Sequence, residues 1–248
     1  MAHHDDEFGV FSVLEKEAAC GTRIICIYTT DGGAGGVQAQ VRERESITVL
    51  KKLGIAESDI ISLGSTLKIR DGYLYAAWSK LLPWLDTKWA LISQAESIYI
   101  PAWEGGHPDH DLLHVLITKF CATTGARAAL LAYPLYNGFR CPLQFFNVLT
   151  AIEGNGEIKK DCIRFTNRVR YLWLCCYYKS QWKTWIGLLP FVALYYLFRG
   201  EQQIQITEVD YCTPPHVGQL YYEKRKFLSW RAASEAIVRL DCELQAYR

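Results

Sequence analysis

Apolar residues recur at helical spacing over 8–20 and give way at 23–29 (RIICIYT) to a β-branched run, which predicts a helix and then a strand closed by the turn Thr30-Asp31-Gly32-Gly33. The beat then repeats. A polar-faced helix is expected over 37–53, stopped by Gly54 as a C-cap, with a short strand at 59–63 and a loop at 64–72. A helical pattern over 75–94, broken or kinked at Pro83, leads into a strand at 97–100. The loop 101–108 then opens a helix over 109–123, followed by an apolar run at 127–132. Four alternations of helix and strand predict a three-layer, Rossmann-like α/β fold. Its sheet would be mainly parallel, covered by helices on both faces, with ligands bound at the carboxyl ends of the strands.

Beyond Tyr133 that rhythm is lost, and residues 140–248 mix Trp, Tyr, Cys and basic residues without a clear period. No linker or internal repeat interrupts the chain. The expectation is one domain over 1–248, with 1–139 as the motif-bearing α/β core and 140–248 as an aromatic-rich C-terminal part. The longest apolar run, 185–198, lies between Lys183 and Arg199 and is shorter than the roughly 20 residues a spanning helix needs. It reads as a buried helix or, alternatively, as a helix lying on a membrane surface with interfacial Trp and Tyr.

Composition narrows the function classes. A chain of 248 residues that is 50% hydrophobic buries a sizeable core and is not disordered. A formal charge of +1 lacks the basic excess that nucleic-acid binding demands. Nine cysteines without CxxC spacing, behind an acidic start unlike a signal peptide, point to reduced thiols and a cytoplasmic protein, with peripheral contact at the inner membrane face as its extension.

Four of the six histidines fall in two short clusters, His3-His4-Asp5-Asp6-Glu7 and His107-Pro108-Asp109-His110. An imidazole and a carboxylate three residues apart can close on one ion where the chain turns into a helix. A second imidazole from another loop completes three protein ligands and leaves a position open, the arrangement of a catalytic zinc site. Asp5 and Asp6 would equally suit the N-terminal end of a helix starting near Glu7, and His107 with His110 would suit a capping pair.

The two clusters carry a family resemblance. Ala2-His3-His4-Asp5-Asp6-Glu7 resembles the AHPDDE signature of the PIG-L/LmbE family of zinc-dependent de-N-acetylases, with His4 in place of proline, and His107-Pro108-Asp109-His110 matches its HPDH signature. Weaker elements follow in order: Thr30-Asp31-Gly32, Arg42 with Glu45, Leu53-Gly54, Asp71-Gly72 and Ser180-Gln181. The resemblance implies His3, Asp6 and His110 as ligands of a zinc ion, Asp5 as general base, and a protonated His107 facing the oxyanion. It further implies substrate contacts from Arg42 and Asp71, and hydrolysis of the acetamide of an N-acetylated sugar or glycoconjugate to acetate and a free amine. Trp103, before the second signature, would stack on a sugar face or simply pack. His4 would orient a neighbour, and His114 and His216 stand outside the implied site.

In the family a hydrophobic strand delivers the first signature to the sheet edge. Only Met1 and Ala2 precede His3 here, so that first strand is expected to be missing and the chain to be a truncated gene product. The alternative function is then a non-catalytic sugar- or lipid-binding relic of the same fold.

Overall fold

Phe11, Ser12 and Leu14 turn one stripe of α1 (Phe11–Ala19) into the interior, as its helical spacing predicts. In the computed structural model, which describes residues 1–33, 39–206 and 209–245, a 3-10 turn at Asp6–Gly9 leads into that helix. β1 (Cys26–Tyr28) sends Cys26 and Tyr28 into one apolar cluster and Ile27 against another, so alternation along three residues already defines two faces of a sheet. α2 (Ala39–Lys52) covers most of the expected 37–53 helix, whose residues 37 and 38 lie outside the described residues. Gly54, at φ +94°, takes the left-handed turn after it. β2 (Ile60–Ser62) runs parallel to β1.

One expectation is corrected in the next stretch and another is sharpened. The 64–72 loop contains a short helix, α3 (Leu63–Leu67), within which Gly64 packs so tightly on the Thr30 backbone that a Cβ would lie 2.1 Å from it. The 75–94 pattern is broken rather than kinked, and in more than one place. It divides into α4 (Leu74–Ala77), α5 (Leu82–Thr87) and α6 (Trp89–Ile92), with Pro83 in the first turn of α5, where its missing N–H costs nothing. β3 (Ser97–Pro101), α7 (Pro108–Thr124) and β4 (Ala129–Tyr133) complete the fourth beat, with β3 and β4 parallel and Gly125 at φ +72° ending α7.

The parallel character stops at β4. Beyond it come the small antiparallel pair β5 (Tyr136–Asn137) and β6 (Asn147–Val148), then β7 (Ile158–Cys162), α8 (Phe165–Cys175), α9 (Trp182–Phe198), β8 (Glu201–Ile206), α10 (Tyr221–Lys224) and α11 (Trp230–Gln245). β8 lies antiparallel between β4 and β7, extending the sheet in the order β3-β4-β8-β7. One cluster, including Phe11, Tyr28, Leu50, Tyr171 and Val192, gathers α1, α2, α8 and α9. The other, including Leu63, Leu74, Leu116, Phe120 and Leu240, gathers α3 to α5, α7 and α11. Helices therefore cover the sheets in two layers, and residues of both the 1–139 and 140–248 parts share the first cluster.

Met1 and Ala2 lie alongside the end of β1, which among the described residues pairs only with β2 in a sheet separate from β3 and β4. Thr29 and Thr30 donate backbone N–H to the carbonyls of Met1 and Ala2 at 3.1 and 3.0 Å, and the terminal ammonium donates to Ile27 O at 3.0 Å. His3 is thereby delivered at the carboxyl end of β1.

Candidate functional site

The first signature folds into a tight loop tied to itself. The backbone N–H groups of Ala2 and His3 both donate to Asp6 Oδ2 at 2.8 Å, which fixes that carboxylate and leaves Oδ1 free to face elsewhere. Asp5 has φ +128°, a backbone region that non-glycine residues avoid and that persists only where the surroundings enforce it. The enforcing contacts are visible. The carbonyl of His4, directly before Asp5, accepts from Gln181 Nε2 at 2.6 Å and from Arg42 Nη2 at 3.2 Å, while Asp5 N–H donates to Glu7 Oε2 at 3.1 Å.

The second signature arrives from the end of β3. Gly106 touches the carbonyl of Tyr136 where a Cβ would lie 1.8 Å away, so only glycine lets the loop approach β5. Asp111 Oδ1 accepts from the N–H groups of Glu104 and Gly105, both at 3.1 Å, and pins the loop to the helix it precedes. His107 caps α7 by accepting Asp109 N–H on Nδ1 at 3.2 Å, and Pro108 starts the helix. His110 then projects inward one turn later, fully buried.

The two loops meet. His3 Nδ1 lies 3.1 Å from His110 Nε2 and 3.5 Å from Asp6 Oδ1, and His110 Nε2 lies 3.0 Å from Asp6 Oδ1. Donors at about 2.0–2.1 Å from a tetrahedral zinc stand about 3.3 Å from one another, so this nearly equilateral triangle fits such an ion. Two other groups could also hold a metal: His3 with His107 and His110, and His3 with Asp71 and Asp109. All share His3. The other nitrogen of His3, Nε2, is 3.1 Å from Asp71 Oδ1 and 3.2 Å from Asp109 Oδ2, the carboxylate backing that orients a ligating imidazole.

Electrostatics separate the carboxylates by role. Burial would raise Asp6, but His110 and His3 beside it hold it well below the ordinary carboxylate range. Burial likewise opposes charge on Asp71, yet His3, His107 and Arg42 keep it low. Asp5 differs: burial pushes it up to about 8, although Arg42 Nη2 stands 3.5 Å from Oδ1 and pulls the other way. A carboxyl with that affinity for a proton can take and return one. Burial would also lower His3, but the carboxylates of Asp71, Asp6 and Asp109 outweigh it.

The resemblance implies a protonated His107, and the surroundings of this ring in the fold bear on that role. Burial, reinforced by His3, pushes that imidazole down to about 3, and its Nδ1 is committed as an acceptor to Asp109 N–H.

His3, Asp5, Asp6, His107 and His110 are thus brought together. Arg42 and Asp71, read as substrate contacts, lie behind them and are bonded to each other at 3.0 Å. Arg42 is 6% exposed, and its Nη1 and Nη2 reach Gly32 O, His4 O, Asp71 and Asp5, while its buried Nε meets no acceptor among the described residues. His4 stacks on Tyr28 and meets Ser62 Oγ, His114 bonds Pro101 O, and Trp103 is buried against Tyr211 and Trp230 as packing. His216 bonds the carbonyl of Val217 outside the cluster.

Sequence reasoning assigned no role to Asp109, which besides backing His3 accepts Gly72 N–H at 2.7 Å and Leu74 N–H at 3.0 Å. It also missed Tyr136, edge-on to His110, and the half-exposed Phe227, whose ring centroid is 5.6 Å from that of His107. No motif marked either aromatic residue.

Residues 1–121 match the family model described as GlcNAc-PI de-N-acetylase (PIG-L). Among solved structures, the chain is similar to an N,N'-diacetylchitobiose deacetylase from Pyrococcus horikoshii in complex with its inhibitor MPG, with a TM-score of 0.50 and 17% identity over 86% of this chain and 82% of that one. A likeness at that identity speaks for the fold. A search of curated proteins finds no match.

Proposed function

Since residues 1–121 belong to the PIG-L family, we propose that the protein is a zinc-dependent de-N-acetylase acting on an N-acetylated amino sugar or glycoconjugate, with 1–248 working as one domain. The observation that carries this reading is the triangle of His3 Nδ1, Asp6 Oδ1 and His110 Nε2 beside Asp5, a carboxylate whose proton affinity burial raises. The diacetylchitobiose specificity of the structural neighbour suggests N-acetylglucosamine units as the first substrates to try.

His3, Asp6 and His110 would hold the ion. When bound, zinc supplies a Lewis acid that polarises a carbonyl and acidifies a water. Asp5 accepts a proton from the attacking water as its oxygen bonds to the acetyl carbon. It then returns the proton to the amine nitrogen as the carbon–nitrogen bond breaks, giving acetate and a free amine. His107 donates its Nε2 proton to the oxygen on which charge develops, a contribution commonly worth about 3 kcal/mol per donor. Arg42, Gln181 and Asp71 position Asp5 and His3 through the loop that bears them.

The test is acetate release from N-acetylglucosamine conjugates, before and after chelation and after adding back zinc. Release that vanishes with chelation and returns with zinc is the expected result. A chain that binds zinc tightly yet releases no acetate from such conjugates would support the relic that binds sugar or lipid without turnover.

A further inference from the structure

Helix α9 has an apolar side that nothing in the fold covers. Trp185, Leu188, Val192 and Tyr196 bury one flank in the core, but Trp182, Ile186, Leu194, Leu197 and Phe198 face outward, with Ile186 67% and Phe198 81% exposed. A surface helix ordinarily shows charged residues there. α8 continues the surface with exposed Phe165, Val169 and Trp173, and a shallow apolar groove runs between the two helices along Cys175, Trp182 and Leu189. Contiguous exposed apolar surface of this kind marks an interaction site.

Charge tells what covers it. From Cys162 to Gly200 the chain has no Asp or Glu, but it has Arg164, Arg168, Arg170, Lys179, Lys183 and Arg199. The remainder of a nearly neutral protein is therefore acidic. Arg168 and Arg170 are used internally, on Ile163 O and Glu15. Among the described residues, Arg164, Lys179, Lys183 and Arg199 form no ion pair with a carboxylate. They stand at the start of α8 and at both ends of α9. An apolar band bounded by tryptophan and unpaired cations complements an anionic bilayer, with aliphatic groups in the acyl boundary and cations among the headgroups. A second copy docked through the same face would set this cationic rim against itself.

We propose that α9, with the exposed side of α8, docks the protein on an anionic lipid bilayer, the helix lying in the plane of the surface. Among the described residues no helix is long and apolar enough to cross a membrane, and Pro190 interrupts α9. The docking face begins one residue after Gln181, whose amide holds the His4 carbonyl. The proposal stands independently of the reaction proposed above.

Sedimentation of the full chain with vesicles of phosphatidylcholine, alone or mixed with phosphatidylglycerol, tests it. At low salt, binding to the anionic vesicles is expected to exceed binding to the neutral ones by about tenfold or more and to weaken as salt rises. Ile186→Asp/Leu194→Asp removes apolar contact from solvent-exposed positions without touching the core and should cut binding by about tenfold or more, with circular dichroism unchanged. Lys179→Glu/Lys183→Glu should weaken binding to the anionic vesicles alone. A protein that stays in the supernatant with anionic vesicles at low salt, or aspartate variants that bind as well as wild type, would overturn the proposal. So would a wild-type dimer that the aspartate variant converts to a monomer while neither form binds vesicles, which would assign the face to a second copy.

Discussion

The part of the chain before Tyr133 and the part after it contribute differently to one site. The first supplies the reactive groups, and each stands where a parallel strand ends: His3, Asp5 and Asp6 beside β1, and His107 and His110 just beyond β3. Among the described residues, the second supplies no histidine or carboxylate to the metal-binding cluster. It supplies Gln181 to the His4 carbonyl, Ser180 to Glu45 at 2.6 and 2.8 Å, and the rings of Tyr136 and Phe227 along the histidines. Chemistry and its positioning are thus divided along the chain. Substitutions in the first part should abolish turnover, whereas those in the second should tune it.

Asp5→Asn is the strongest way to break that division. It should lower acetate release by about 10²–10⁴-fold while zinc content is retained, because the amide cannot take a proton. Near-normal activity would remove the general-base role. Trp103→Ala asks how far the second part also stabilises the first, since its ring packs on Tyr211 and Trp230. A loss of about 3–5 kcal/mol in denaturant unfolding is expected, and a loss under 1 kcal/mol would show that this contact carries little of the fold.

His114 gives a pH signature that is separate from the metal cluster. Burial lowers its folded-state value to about 4 from 6.5. The unfolded chain therefore binds the proton first as pH falls, and the stability that the neutral form contributes above 6.5 is lost progressively towards pH 4. Between pH 7 and 4.5 the metal-free wild type should lose about 2 kcal/mol more than His114→Gln. Equal losses would contradict this assignment.

Gln181→Leu removes one of the two donors to the His4 carbonyl from the far part of the chain. A fall in kcat of about tenfold, with KM and zinc content little changed, is the signature of a positioning residue. An unchanged kcat would show that Arg42 alone holds the loop. Phe227→Ala should have the smallest effect, about a threefold rise in KM for a sugar substrate, the scale of one lost aromatic contact. A fall in kcat with KM unchanged would place Phe227 at the reacting atoms instead.

The same division explains what could be read from sequence. The two signatures are local, so His3, Asp5, Asp6, His107 and His110 were legible as a set, and the strand–helix rhythm up to residue 132 located the sheet edge on which they meet. Arg42 and Asp71 were legible as members of the site, and the folded chain adds what no motif could show, the guanidinium reaching four acceptors. Past Tyr133 the pattern inverts. β8 (EQQIQI) is polar in sequence yet buried, its Gln202, Gln203 and Gln205 satisfied by Gly9 O, Ala151 N and Ile152 O. β7 is a mostly exposed edge strand with no apolar alternation, and α9 is apolar nearly all round. Periodicity, which reports one buried face, has nothing to report in such elements.

The central claim is that His3, Asp6 and His110 together hold one zinc ion. Elemental analysis after zinc loading and gel filtration, on the wild type beside His110→Ala, tests it directly. The account predicts about one zinc per wild-type chain and nearly none in the variant, since three protein ligands are the minimum of a catalytic site. A wild type that emerges metal-poor, or a variant that keeps its full complement, would contradict it.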